Sequence, residues 1–148
     1  MTLSLPALLL LAARLAHAEE AVTIVAPDTP VHDGEAMPFG VKEAMKGSIF
    51  IDGCSPVEIE QKTAGKWLTT AVKVCEPDQG KGRGQVPATA VDGSLNFSIP
   101  TPPSGSGTYR AVLTWGTGCS PGFPLATAIC TQMGSVTSAP FVVAPPVK

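Results

Sequence analysis

Apolar and polar residues alternate in short runs along this chain, and Pro or Gly interrupts almost every stretch of ten residues. All 15 Gly and all but one of the 15 Pro fall after residue 18, so a helix of three turns hardly fits between them. The pattern predicts strands at Val22–Ala26, Phe39–Ala44, Ser48–Asp52, Val57–Lys62, Trp67–Val74, Val86–Val91, Leu95–Ile99, Thr108–Trp115 and Val136–Val143. That makes seven to nine short antiparallel strands, the number expected of an all-β sandwich or small barrel.

The sharpest local unit is Val57–Val74. Thr63-Ala64-Gly65-Lys66 is a turn signal, with Gly65 free to take a positive φ. Folding there sets Val57 opposite Val72, Ile59 opposite Thr70 and Gln61 opposite Leu68. One face then carries Val57, Ile59, Leu68, Val72 and Val74, and the other Glu58, Glu60, Lys62 and Lys73. This is the alternation of a half-buried antiparallel pair. Trp67 falls on the polar face, either covering the sheet edge or belonging to a binding surface.

The same register places Cys54 opposite Cys75, where a cross-strand pair at about 4.5–5.5 Å can be bridged. Four cysteines allow three pairings. The register selects Cys54–Cys75, and Cys119–Cys130 then closes a short loop. The spacings contain no C-x2–4-C pair, so a four-thiolate metal site is disfavoured.

An even cysteine count fits the first residues, MTLSLPALLLLAARLAHA. An apolar run from Ala7 to Ala13 leads to the small-residue pattern Ala16-His17-Ala18 and then Glu19-Glu20. This is the layout of a signal peptide at residues 1–18, and it is too short for a membrane span. One domain is expected over residues 19–148, secreted or periplasmic. Removal of Arg14 with the leader takes the formal charge from −2 to −3, leaving no basic stripe for nucleic acid or an anionic membrane.

The stretch Pro102-Pro-Ser-Gly-Ser-Gly-Thr-Tyr109-Arg-Ala-Val-Leu-Thr-Trp115 resembles the E–F corner and F strand of an immunoglobulin-like domain. The resemblance implies that Tyr109 is a structural corner residue, buried, with its hydroxyl bonded to backbone near Pro102–Ser106. It also makes the 57–74 hairpin strands C and C′, and Val136–Val143 the final strand, covering most of residues 22–143. The chain departs from antibody domains at Ala111, where they carry a cysteine, and in lacking a Trp in Val57–Lys62. It is closer to the immunoglobulin-like modules of bacterial exported proteins. Such a fold implies no activity by itself.

Catalytic chemistry finds little purchase. His32, beside Asp33, is the one histidine after residue 18, and G-x-S-x-G, H-E-x-x-H and phosphate-cradling motifs are absent. Glu58 and Glu60 share a strand face but sit beside Lys62 and Lys73, as solvating charges do. Lys81-Gly-Arg83-Gly-Gln85 reads as a loop, and Asp28, Asp33, Asp52 and Asp92 occupy turn-like contexts without the spacing of a calcium loop. No enzyme activity, cofactor or metal is expected.

The remaining feature is Gly116–Ser135, pinched by Cys119 and Cys130 and containing Phe123-Pro-Leu125 and Ala128-Ile129. Loops of this length are uncommon in compact domains. Phe123 and Leu125 either anchor a partner or cap one end of the sandwich. The expected function is an exported non-catalytic binding or structural module whose partner is another protein. The alternative is an extracytoplasmic inhibitor of a hydrolase or protease acting through the stapled loop, since preorganisation lowers the cost of binding.

Overall fold

The computed structural model describes residues 21–45, 47–70 and 86–148. The expected leader and cleavage point, residues 71–74 of the hairpin, Cys75 and Lys81–Gln85 lie outside them. The described residues are all-β and contain no helix, hence none long and apolar enough to cross a membrane. Eleven strands form among the described residues: β1 (Val22–Val25), β2 (Val31–His32), β3 (Ala36–Glu43), β4 (Ile49–Ile51), β5 (Val57–Thr63), β6 (Lys66–Thr69), β7 (Thr89–Val91), β8 (Ser94–Pro100), β9 (Gly107–Thr117), β10 (Gln132–Thr137) and β11 (Phe141–Ala144).

Two sheets pack together. The smaller has the order β1-β3-β8, antiparallel throughout. The larger is built around β9, which pairs antiparallel with β4 and β5 along one side and with β10 and β11 along the other. The alternation of β9 explains its central place. Tyr109, Ala111, Leu113 and Trp115 point into the core, while Arg110, Val112 and Thr114 face out. They meet Met37, Phe39, Val41 and Ile99 of the smaller sheet in one apolar cluster. Phe39 stacks on Phe97 across its own sheet at 5.6 Å and joins the layers through a ring contact at 5.5 Å to Phe141. Each fully buried aliphatic side chain contributes about 1.5–3 kcal/mol relative to exposure.

The β5–β6 hairpin has the expected register, with Glu60 opposite Thr69, Gln61 opposite Leu68 and Lys62 opposite Trp67. Ala64 and Gly65 turn the chain at φ 51° and 77°. Two positive φ values in a two-residue loop match the right-handed twist of the strands. Leu68 departs from expectation. Alternation puts it on the core face with Val57 and Ile59, yet it is 52% exposed. Among the described residues its strand pairs with β5 alone, and its side chain lines a shallow groove with Pro103 instead of the core.

Three further features shape the larger sheet. The expected strand Val136–Val143 is two strands, because one extra residue is inserted. Thr137 and Phe141 are four apart, while their β9 partners Val112 and Tyr109 are three apart. Pro140, which has no N–H, sits in this bulge. Buried Ser138 repairs the ladder there: its N–H donates to the Ala111 carbonyl at 2.8 Å and its hydroxyl accepts from the Ala111 N–H at 2.9 Å. Similarly, β4 and β5 are two halves of one side of β9, separated by the excursion 52–56. Asp52 holds that excursion by accepting the N–H groups of Cys54 at 2.8 Å and Ser55 at 3.0 Å. Finally, Val31–His32 pairs parallel with Val143–Ala144, a two-residue strand that no alternation could announce.

Candidate functional site

Outward residues of β5, β9 and β10 form a broad face on the larger sheet, and features of different chemistry occupy its two ends. At one end β6 brings Trp67 across from Lys62. The Arg110 guanidinium lies 4.4 Å from the indole centroid and the Lys62 ammonium 5.9 Å. Arg110 is itself fixed, since its Nε donates to Glu60 Oε1 at 2.7 Å from the directly opposite position on β5. Trp67 is therefore a partly buried plate held by a cation against the sheet, an arrangement worth about 0.5–1 kcal/mol at such exposure. Glu60 is an ion-pair partner here, and Glu58 lies at the rim of a neighbouring depression, so the two carboxylates do not converge.

At the other end the stapled loop folds back over the sheet. Strand pairing continues to Thr117 opposite Gln132, so the loop proper spans 118–131, shorter than Gly116–Ser135. The Cys119–Cys130 disulfide closes it. A Cβ on Gly116 would sit 2.8 Å from both Sγ atoms and from Met133 Sδ, so the sulfur cluster packs directly on the bare backbone of β9. Internal bonds stiffen the loop: Ser120 N–H to the Ile129 carbonyl at 2.9 Å, Ile129 N–H to the Ser120 hydroxyl at 3.0 Å, and Ala128 N–H to the Pro124 carbonyl at 2.9 Å. Ala88 N–H donates to the Phe123 carbonyl at 2.9 Å and ties the tip to the segment before β7.

The structure separates the two residues that the sequence paired. Leu125 is 6% exposed, one wall of a depression of about 180 Å³ that Pro56, Glu58, Val112 and Met133 also line. It packs the loop against the sheet and presents nothing outward. Phe123 is 54% exposed. Two more apolar residues stand in solvent: Ile129, which the sequence marks only as an apolar member of the loop, is 81% exposed, and Met133, which it does not mark, is 50% exposed. Ile129 follows an Ala-Thr-Ala run with no alternation to mark its direction, and Met133 faces out because it opposes Gly116.

Tyr109 lies in β9, just after the Pro/Gly-rich segment 102–107. It is fully buried, and its hydroxyl donates to the Gly105 carbonyl at 2.6 Å and lies 3.0 Å from the Ser104 hydroxyl. Cys54 is disulfide-bonded; its expected partner Cys75 is outside the described residues. The neighbours His32 and Asp33 engage different groups. His32 Nδ1 lies 3.0 Å from the Pro145 carbonyl, and Asp33 Oδ1 accepts from the Thr101 hydroxyl at 3.2 Å. Asp92 accepts from the Ser48 hydroxyl at 2.9 Å and ties a turn. Among the described residues no three His, Cys, Asp or Glu side chains converge as a metal site would require.

Comparison with known proteins adds no relative to this picture: no family model, no curated protein and no solved structure matches the chain.

Proposed function

We propose that this chain is an exported, non-catalytic binding module with an immunoglobulin-like sandwich, and that it contacts another protein through the tip of the 118–131 loop. The observation that carries the reading is the contrast within that loop. Leu125 is buried beneath it and a disulfide closes it, while Phe123 and Ile129 remain in solvent on the same rigid segment. Holding two large apolar side chains out of a core forfeits about 1.5–3 kcal/mol each, and an interface returns that burial without an ordering cost.

Strand order supports the immunoglobulin-like part of the reading. The first strand is split, β1 joining β3 in one sheet and β2 running parallel to β11 in the other. The buried Tyr109 bonded back to Gly105 supplies the corner. Export rests on the leader pattern and the disulfides. The inhibitor reading draws on the same stapled, Pro-containing loop.

The test compares wild type with Phe123→Ala, produced as the oxidised mature protein. Binding to a partner cross-linked from the exported fraction should fall about 5–30-fold, equivalent to 1–2 kcal/mol, with an unchanged thermal midpoint. Equal binding by both proteins rejects the loop as the contact. Stoichiometric inhibition of a secreted hydrolase, lost in Phe123→Ala, would favour the inhibitor reading over a structural module.

A further inference from the structure

We propose that β8 is a self-association edge, and that two copies of this chain pair through it antiparallel across a twofold axis. The proposal concerns the opposite sheet from the loop and is independent of it.

The hydrogen-bond phase of β8 follows from two observations. Glu43 N–H donates to the Gly93 carbonyl at 2.8 Å, which makes Glu43/Gly93 a hydrogen-bonded position in the β3–β8 register. Alternation then turns the main-chain groups of Leu95, Phe97 and Ile99 toward β3. Pro38, which has no N–H, faces Ser98, as the same phase demands. The main-chain groups of Ser94, Asn96, Ser98 and Pro100 consequently point away from β3. Among the described residues no strand pairs with that side.

The donors on this edge are limited at both ends. Ser94 N–H is already given to the Asp92 carbonyl at 2.9 Å, and Pro100 has none. Two open donors remain, on Asn96 and Ser98, beside their own two acceptors. A pattern of this kind is complementary to itself. With Phe97 opposite Phe97 of the second copy, Asn96 exchanges both main-chain bonds with Ser98 of the second copy and the reverse, four bonds in all. Leu95 then opposes Ile99 of the second copy. Phe97, half-buried against Phe39, would meet its counterpart at the close spacing of a non-hydrogen-bonded pair.

Composition favours the same occupant. At seven residues β8 is the longest strand with a single partner among the described residues, and it carries no charge, no bulge and no Pro before its last position. Exposed edges are commonly blunted by one of these devices. The other single-partner strands are shorter: β6 carries Lys66, and β10 runs into the bulge at Ser138. An uncharged edge also meets its own copy without like-charge repulsion, and a twofold pair closes instead of propagating.

Sedimentation of the oxidised mature protein over a wide concentration range, with amide exchange read at Asn96 and Ser98, tests this. A monomer–dimer equilibrium is expected, with both amides gaining at least tenfold protection as the dimer fills. Ser98→Pro removes one edge donor without touching the β3 ladder, and should weaken the dimer at least tenfold while Phe123→Ala leaves it unchanged. If Ser98→Pro fails to fold, the concentration dependence of exchange in wild type decides alone. A protein that stays monomeric at millimolar concentration overturns the proposal. So does a dimer whose Asn96 and Ser98 amides exchange freely, protection that does not change on dilution, or a folded Ser98→Pro that dimerises as wild type does.

Discussion

Replacing Tyr109 with Phe removes one oxygen atom and leaves the ring, with its contact to Phe141 at 6.2 Å, in place. The hydroxyl makes two interactions whose losses are unequal. Ser104 is exposed, so its hydroxyl turns to water at little cost. The Gly105 carbonyl, reached at 2.6 Å and only half-exposed, loses its donor inside a corner where Gly105 N–H is already committed to the Pro102 carbonyl at 3.1 Å. Leaving such an acceptor unpaired costs about 1–3 kcal/mol, and the partial exposure puts Tyr109→Phe near 1–2 kcal/mol. In a domain of this size that lowers the thermal midpoint by roughly 3–6 °C. Urea titration of the oxidised protein should show an earlier midpoint with an unchanged slope. Tyr109→Ala, which also empties the ring's place in the core, should lose about 3–5 kcal/mol. A Phe variant as stable as wild type, or one as damaged as the Ala variant, would refute the view that the hydroxyl locks this corner.

Leu125→Ala should destabilise by about 2–5 kcal/mol in chemical denaturation, whereas Phe123→Ala should stay within about 0.5 kcal/mol of wild type, because only the first is enclosed. Ser138→Ala strands the buried Ala111 N–H and should cost about 1–3 kcal/mol by the same measurement. Ala64→Asn relieves a left-handed Ala in the β5–β6 turn and should raise stability by about 0.5–1 kcal/mol, visible as a higher thermal midpoint. Arg110→Ala removes both the Glu60 ion pair and the cation over Trp67, with an expected cost near 1 kcal/mol that shrinks in high salt.

Local chemistry was legible in the sequence, and what depends on distant strands was not. The 57–70 hairpin could be registered because turn and alternation lie within a dozen residues, and Tyr109 because a Pro/Gly corner precedes it. Leu68 misled because alternation reports which face a side chain takes, not whether another layer lies beneath that face. The bulge at Ser138–Pro140 shows the same limit: a proline marks an interruption, but only the offset against β9 reveals one inserted residue. The parallel β2–β11 pair joins residues more than a hundred apart through two positions, too few for any pattern. At the candidate site, the disulfide marked the loop, yet Phe123 and Leu125 have equivalent sequence contexts. Their opposite fates are set by Pro56, Val112 and Met133, which the fold alone brings under Leu125. Arg110 escaped notice for a related reason, since its meaning comes from Glu60 and Trp67 across two strands.

The central place of β9 has a consequence in time. Every pairing that β4, β5, β10 and β11 make with it waits for residues 107–117, which follow most of the chain. Synthesised from the N-terminus, the first hundred residues can close the β5–β6 hairpin and begin the smaller sheet, but they lack the strand on which the larger sheet assembles. Pairings of such long sequence separation form slowly. A nascent chain of this design stays open until nearly its whole length has been made, the condition in which a polypeptide can be threaded through a narrow pore before it folds.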